Sequence, residues 1–238
     1  MQLFYDPHFD PSADSPQLDG DQARHALKVL RLAAGDAISV TDGRGSLYRC
    51  RITAADRRNC SLCVRVESVE TECGNMPYRL TMAVAPTKNI DRFEGFLEKA
   101  TEVGVSEIIP LATDRSERRT LKTERAEKVI AAAVKQSLKC VCPQLHPVTT
   151  FDELMAMPFS GRRFIAHCDP AGERNFLGRL LRAGEDAVVL IGPEGDFSPE
   201  EIAAALANGY EPVSLGNQRL RTETAAVAAT VIVAAANN

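Results

Sequence analysis

The segment AVVLIGPEGDFSPEE, residues 187–201, carries three structural signals in succession. Its five apolar residues, 187–191, are typical of a strand buried on both faces. Residues 198–201, Ser-Pro-Glu-Glu, form a capping box with proline at the first helical position, which predicts a helix ending near Ala207. Two glycines and a proline lie between the strand and the helix. Such a strand-loop-helix unit is typical of an α/β sheet.

The same alternation extends through the second part of the sequence. Apolar runs predict further strands over 80–85, 105–111, 164–167 and 211–215. Helical periodicity predicts helices over 91–103, 123–138 and 222–236, and a second capping box at Thr150 and Glu153 opens a short helix. Strands that alternate with helices predict a parallel sheet covered on both faces.

The first part of the sequence has a different period. A short helix is predicted over 22–32, and three runs near 38–40, 48–52 and 60–66 alternate apolar and polar residues with turn residues between them. This pattern predicts a small antiparallel β module. A breaker cluster at 73–77 follows it. We therefore predict two domains, residues 1–72 and residues 73–238.

Composition limits the class of protein. With 238 residues, 45% hydrophobic and 25% charged, the chain matches the globular average, which excludes a collagen or a coiled coil. The sequence shows no secretion signal or membrane span, so a soluble cytoplasmic protein without a membrane partner is expected. Seven cysteines, an odd number, are predicted to be reduced thiols. The pair Cys60 and Cys63 lacks a second metal-binding pair, so no metal is expected.

Positive charge is concentrated locally although the net charge is −4. Residues 24–65 contain nine bases and three acids, and residues 115–139 contain eight bases and three acids. Two such stretches in an acidic protein indicate a polyanionic partner. The basic residues that we expect to contact the phosphates or other acidic groups of such a partner are Arg24, Lys28, Arg31, Arg49, Arg51, Arg65, Lys88, Arg115, Arg118 and Arg119. A solvated charged face is the alternative for each of them.

Two loops are the candidates for chemistry, because ligands of open α/β sheets bind beyond the carboxyl ends of strands. The first is residues 191–198. The second, LGNQRLRTET at 215–224, places Arg221 and Glu223 on either side of Thr222, a residue able to cap a helix. Neither loop has the G-x-G-x-x-G pattern or the P-loop lysine, which disfavours dinucleotide and nucleoside triphosphate binding.

The two loops together resemble the RsmE family of 16S rRNA (uracil-N3) methyltransferases in the SPOUT superfamily. The resemblance rests on Gly192-Pro-Glu-Gly195-x-Phe-Ser-x-x-Glu201 and on Leu215-Gly216-x-x-x-Leu220-Arg221-Thr222-Glu223-Thr224-Ala225. Residues 88–105 and 25–36 resemble further blocks of the family. The chain departs from the family pattern at Asp196, where many relatives have glycine, at 217–219 and at 136–139.

This resemblance implies a PUA-like, RNA-binding β-barrel followed by a knotted SPOUT methyltransferase domain. It implies a homodimer with active sites at the subunit interface and N3 of a 16S rRNA uridine as methyl acceptor, the assembled small ribosomal subunit being the expected substrate. S-adenosylmethionine would be held by Leu190, Ile191, Gly192, Pro193, Gly195, Leu215, Gly216, Leu220 and Thr222.

The resemblance also suggests roles for three charged residues. Arg221 would stabilise negative charge on the uracil oxygens, and Glu194 or Glu223 would accept the N3 proton. Two alternatives remain open: another SPOUT enzyme that methylates a ribose 2′-OH or a tRNA base, and a non-catalytic RNA-binding protein.

Overall fold

The computed structural model describes residues 2–18, 20–168 and 174–237. The chain divides into two compact units. Unit 1 contains Met1–Asn75 together with Val134–Cys142, and unit 2 contains Met76–Ala133 and Pro143–Asn238.

Unit 1 is built around a five-stranded sheet that curls into a half-barrel. The strands are β1 (Leu3–Tyr5), β2 (Gln17–Leu18), β3 (Ala37–Thr41), β4 (Leu47–Asp56) and β5 (Ser61–Glu70), in the order β1-β3-β4-β5-β2. Only β1 and β3 pair in parallel. The period-two pattern places alternate apolar residues, such as Ile38, Val40, Ile52 and Leu62, in one core.

The helix predicted over 22–32 is wrong in its second half. Helix α1 (Gly20–Arg24) passes into a π-helical turn (His25–Val29), in which the Leu30 N–H donates to the His25 carbonyl. Arg31 has a φ of 60°, a left-handed conformation that ends the helix. Because a π turn is wider than an α turn, Arg24, Lys28 and Arg31 do not lie on one face of a single α-helix.

The prediction that all cysteines are free thiols is also wrong. Cys73 and Cys140 form a disulfide with a Cα to Cα distance of 5.5 Å, and Cys50, Cys60, Cys63, Cys142 and Cys168 are thiols that form no disulfide among the described residues. The bond forms because the segment Val134–Cys142 packs within unit 1. There the Gly45 N–H donates to the Cys140 carbonyl at 2.9 Å, and Arg44 pairs with Val141. Sequence spacing gives no sign of this long-range contact.

Unit 2 contains a parallel sheet in the order β11-β13-β10-β12-β6-β7-β8, with β9 paired to β7. The strands are β6 (Leu80–Val84), β7 (Glu107–Ala112), β8 (Gln144–Leu145), β9 (Thr149–Thr150), β10 (Arg162–Ala166), β11 (Asn175–Phe176), β12 (Ala187–Ile191) and β13 (Glu211–Ser214). The helices are α2 (Ile90–Val103), α3 (Thr123–Gln136), α4 (Phe151–Ala156), α5 (Leu177–Leu180), α6 (Pro199–Ala207) and α7 (Thr222–Ala236).

Local sequence signals explain these elements. Every residue of β6 and β12 is buried, as expected for strands covered on both faces. Both predicted capping boxes form, at Thr150 and at Ser198. Helix α2 starts at the N-cap Asn89 and ends at Gly104, whose φ of 114° suits glycine. Among the described residues, no helix is long and apolar enough to cross a membrane.

The sheet order determines where loops meet. Strand β10 lies between β12 and β13, and its last residue, Ala166, is in register with Ile191 of β12 and with Val213 of β13. Because the three strands run in parallel, the segments that follow them leave from the same edge of the sheet. The two loops singled out from the sequence are therefore neighbours.

Two glycines lie just before β10 and β12, and substitutions at them would test how tightly the start of these strands is packed. Gly161 and Gly184 have φ values of 77° and 79°, but an added Cβ lies 2.1 Å from the Asp186 carbonyl oxygen at Gly161 and meets nothing within 4 Å at Gly184. We expect Gly184→Ala to lower the free energy of unfolding by about 1 kcal/mol and Gly161→Ala by about 3 kcal/mol, measured by urea titration. Equal losses in the two variants would contradict this packing.

Candidate functional site

Two adjoining cavities of about 440 and 500 Å³ open at the carboxyl edge of the unit 2 sheet. The first is lined mainly by residues 191–196 and 219–222 with Arg92, and the second mainly by residues 213–220 with His167 and Arg174. The residues that line both cavities are Ala166, Cys168, Arg219, Leu220 and Ala225. Both predicted loops thus contribute to one cleft. A cavity of about 570 Å³ in unit 1 is lined by none of the predicted site residues.

The predicted cofactor residues divide between the two cavities. Ile191, Gly192, Pro193, Gly195 and Thr222 line the first cavity, Leu215 and Gly216 line the second, and Leu220 lines both. Leu190 does not line either one, because its side chain is buried in the apolar core of the sheet. All but one of the predicted residues are therefore brought together.

The two glycines of the first loop have different local surroundings. A Cβ at Gly192 would lie 3.1 Å from the Phe197 ring, so this glycine makes room for a core aromatic side chain. A Cβ at Gly195 would meet only Arg115, at an ordinary contact distance of 3.4 Å. The fold itself thus leaves space at Gly195, whose exposed backbone borders the cavity.

Asp196 occupies the departure from the family pattern in this loop. Its φ of 63° is left-handed, and its N–H donates to the Pro193 carbonyl at 3.0 Å to close a turn. Its carboxylate accepts the N–H of Phe197 at 2.9 Å and the N–H of Cys168 at 2.8 Å. The side chain therefore links the segment after β10 to the loop after β12.

The segment after β7 supports the first loop from another side. Arg115 donates to the Gly195 carbonyl at 3.0 Å, and the Ser198 hydroxyl donates to the Asp114 carboxylate at 2.9 Å. The buried Glu201 carboxylate accepts the N–H groups of Asp114 at 2.9 Å and Ser198 at 2.8 Å. These bonds replace the water that a buried carboxylate loses, and they fix the loop geometry.

The basic residues of unit 2 predicted to contact RNA also bind the protein itself. Arg118 donates to the carbonyls of Thr87 and Lys88, and Arg119 donates to the Asp114 carbonyl. The Lys88 ammonium lies 2.8 Å from Glu117, and this hydrogen bond raises the pKa of Lys88. Their positive charge still faces solvent, but part of their donor capacity holds loops in place.

The second loop ends at Arg221, which is the N-cap of α7. Thr222, which the sequence suggested as the cap, is instead the buried first residue of the helix. The Arg221 side chain is exposed at the first cavity and makes no hydrogen bond or ion pair with any residue that the structure describes. A free guanidinium thus stands at the cleft beside a helix N-terminus.

Arg92 is a site residue that the sequence reasoning did not select. It lines the first cavity, and its Nε lies 3.9 Å from the carboxylate of Glu223, whose side chain is 19% exposed. Glu194, by contrast, is exposed at the cavity and accepts the Lys88 N–H at 3.1 Å. The strand-end rule points to Arg92, because α2 follows β6 at the same edge of the sheet.

The basic residues of unit 1 differ in how strongly they are neutralised. Arg51 makes two hydrogen bonds to Glu67, at 2.6 and 3.2 Å, which lower the pKa of Glu67, and Arg65 lies 3.8 Å from the same carboxylate. Arg49 donates to the Ser39 hydroxyl, and exposed Arg24 lies 3.4 Å from Asp21. Within the described part of the chain, Lys28 and Arg31 have no carboxylate partner.

In the described ranges, no three His, Cys, Asp or Glu side chains are grouped closely enough to hold a metal ion.

Comparison with known proteins matches both units. Residues 74–234 match an RNA methyltransferase domain model, and residues 18–62 match an RNA methyltransferase PUA domain model. The ribosomal RNA small subunit methyltransferase E of Synechocystis is 30% identical over 86% of this chain and 67% of its own length.

Solved structures are similar over the whole chain. A probable rRNA-methyltransferase from Porphyromonas gingivalis is 40% identical, with a TM-score of 0.91 over 100% of this chain and 98% of its own. A ribosomal RNA small subunit methyltransferase E from Neisseria gonorrhoeae bound to S-adenosyl methionine is 28% identical, with a TM-score of 0.82 over 97% and 95%. The predicted fold class, a SPOUT-type methyltransferase domain preceded by a small PUA-like domain, is confirmed.

We expect Gly195→Val to weaken S-adenosylmethionine binding at least about ten-fold, the equivalent of about 1.4 kcal/mol, because the valine side chain enters cavity space that the fold leaves open. Its thermal unfolding midpoint should stay near that of the wild type. Gly192→Val is the contrasting variant and should also lose stability, because its Cβ meets Phe197. Calorimetry that finds wild-type affinity in Gly195→Val would contradict this placement of the cofactor.

Proposed function

The chain belongs to the RNA methyltransferase family of ribosomal RNA small subunit methyltransferase E, and from this premise we propose that it methylates N3 of one uridine in 16S rRNA. It is an S-adenosylmethionine-dependent rRNA methyltransferase. One observation carries the proposal for this site: two loops, after β12 and β13, line a single cleft, and the exposed guanidinium of Arg221 lies at that cleft.

The residues of the cleft fit the cofactor. The adenosine moiety of the cofactor would contact the bare backbone at Gly195 and Gly216. The apolar side chains of Leu215 and Leu220 would pack against it. The bound cofactor supplies a methyl group on a sulfonium sulfur, and the neutral thioether that remains after transfer is a good leaving group. The tasks left to this chain are to orient the base and to ionise its N3–H.

Arg221 is the proposed group for the charge that develops on the base. Loss of the N3 proton places negative charge on the carbonyl oxygens O2 and O4 of uracil, and a guanidinium beside them can stabilise it. Helix α7 adds to this effect, because Arg221 caps its N-terminus, where the helix dipole is positive. No internal carboxylate in the described residues competes for the Arg221 side chain.

Glu194 is the proposed proton acceptor. Its exposed carboxylate lines the cavity beside Arg221. Glu223 is the other candidate, but its carboxylate faces Arg92 and does not line the cavity. We therefore assign to Glu223 the task of orienting Arg92 at the cleft.

The acceptor atom dictates how the RNA is held. N3 lies on the Watson-Crick edge, so the target uridine must be unpaired or flipped out while flanking phosphates are bound. Lys28 and Arg31 of unit 1, which no described carboxylate neutralises, are the proposed centre of the phosphate contacts, and Arg24 and Arg49 are proposed to add to them. In unit 2, Lys88, Arg115, Arg118 and Arg119 add positive charge.

The protein is further proposed to act as a homodimer and in the cytoplasm. Helix α7 is nearly all apolar, yet Val231 is 45% exposed and Val227 and Ile232 are only partly buried. A second copy would cover these side chains. The cytoplasm is where small ribosomal subunits are assembled and their RNA is available.

Transfer of labelled methyl groups tests the function. Small subunits and free 16S rRNA from a strain that lacks the enzyme are incubated with the protein and labelled S-adenosylmethionine. The product nucleosides are then separated. We expect 3-methyluridine, with faster labelling of assembled subunits. A 2′-O-methyl nucleoside or a methylated guanosine would indicate another SPOUT activity, and absence of transfer to either substrate would contradict catalysis.

For Arg221→Ala we expect single-turnover methyl transfer at saturating cofactor to slow about 100-fold, the usual loss when one oxyanion-stabilising donor is removed. The Arg221 side chain makes no capping hydrogen bond, so the stability of α7 and the cofactor affinity should be unchanged. Arg221→Lys should recover part of the rate. An unaltered rate in Arg221→Ala would remove Arg221 from the mechanism.

The basic residues of unit 1 are tested by salt dependence. A triple variant, Arg24→Ala, Lys28→Ala and Arg31→Asn, should weaken RNA binding and reduce the slope of log K against log salt by about 2, since each phosphate contact contributes about 0.7–0.9. Asparagine suits the left-handed backbone at position 31. Arg51→Ala is the control, because Glu67 neutralises Arg51, and its slope should stay unchanged. Cofactor affinity should not change in either variant.

If the triple variant and Arg51→Ala have the same salt slope as the wild type, unit 1 does not contact the phosphates and unit 2 must recognise the RNA.

A further inference from the structure

The Asp196 carboxylate connects the ends of two neighbouring strands. The last register pair between β10 and β12 joins Ala166 to Ile191, and Cys168 lies two residues beyond it. Past this point the N–H of Cys168 is bound by the Asp196 carboxylate at 2.8 Å. The side chain therefore continues, by one hydrogen bond, the strand pairing that the backbone has ended.

The linked segment lies at the centre of the cleft. Cys168 and Ala166 line both cavities, whereas Asp196 and the rest of the first loop line only one. Movement of Cys168 away from the first loop would alter the wall that the two cavities share. The Asp196 carboxylate thus contacts, through Cys168, the wall of a second cavity that Asp196 does not line.

We propose that Asp196 is a positioning residue for S-adenosylmethionine: its hydrogen bond to the Cys168 N–H holds Cys168, which lines both cavities, in the cofactor-binding position. This inference rests on the proposed function. A carboxylate is suited to the task because it accepts a second bond, from Phe197, at the same time, and this second bond fixes its own rotamer.

The left-handed backbone at position 196 allows loss of the hydrogen bond to be distinguished from backbone strain. With a φ of 63°, this position accepts glycine or asparagine more easily than alanine. Asp196→Gly therefore keeps the backbone and removes the bond. Asp196→Asn keeps the backbone and one amide oxygen that can accept the bond. Asp196→Ala loses the bond and adds backbone strain.

The experiment compares the three variants with the wild type in two measurements. Hydrogen exchange of backbone amides, followed by NMR in the cofactor-free protein, reports the link directly. We expect the Cys168 amide to exchange at least ten-fold faster in Asp196→Gly and to stay within about three-fold of wild type in Asp196→Asn. The Ile165 amide, inside β10, is the internal control and should not change.

Calorimetry and steady-state kinetics report the consequence. In Asp196→Gly we expect the Kd and KM for S-adenosylmethionine to rise about ten-fold, while kcat at saturating cofactor stays within about two-fold and the thermal midpoint is retained. Asp196→Asn should recover most of the affinity. Asp196→Ala should combine the affinity loss with a lower midpoint.

The outcomes separate this inference from the proposed function. Wild-type cofactor affinity in Asp196→Gly, or Cys168 exchange that does not change, would overturn the positioning role and leave the function intact. A wild-type protein that binds no S-adenosylmethionine would contradict the proposed function and, with it, the positioning role.

Discussion

The position of β10 between β12 and β13 is the constraint on which the site depends. In a parallel sheet every strand delivers its carboxyl end to the same edge, so neighbouring strands deliver neighbouring loops. The register of Ala166 with both Ile191 and Val213 means that three segments begin at nearly the same level. The strands β10, β12 and β13 lie in the sheet in the order β13-β10-β12, which places the carboxyl end of β10 between those of β12 and β13.

Hydrogen bonds from side chains to backbone then hold these loops in position. The Glu201 carboxylate is buried and accepts two backbone N–H groups, which replace the hydration that burial removes. Arg115 and Ser198 add two bonds between the segment after β7 and the loop after β12, and Asp196 adds one between that loop and Cys168, which follows β10. A site built this way leaves loop glycines bare toward the cleft and keeps their backbone fixed. Such a site suits a cofactor that is bound by main-chain groups. The loops are already ordered before the ligand binds, so little conformational entropy is lost on binding.

What could be predicted from the sequence follows the range of the interactions. Strand β12, helix α7 and both capping boxes depend on local pattern, and the predicted bounds of β12 and α7 agree with the structure. The two loops could be selected because their composition is unusual at strand ends. The short strands β8 and β11 and the Cys73–Cys140 disulfide depend on partners distant in sequence, which periodicity does not report. The same is true of the pairing between Arg92 and Glu223.

Electrostatics shows why a count of bases overstates the RNA surface. Nine bases lie in residues 24–65, but a base acts on a distant phosphate only to the extent that no nearer carboxylate or carbonyl holds it. Glu67 neutralises the charge of Arg51 and lies near Arg65, whereas Lys28 and Arg31 have no carboxylate partner in the described structure. The π turn and the left-handed Arg31 direct this part of the chain away from a regular helix, with Val29 64% exposed between the two cations. Lys28 and Arg31 thus keep their charge available on a short segment of unit 1. This explains how a chain with a net charge of −4 can still attract a polyanion.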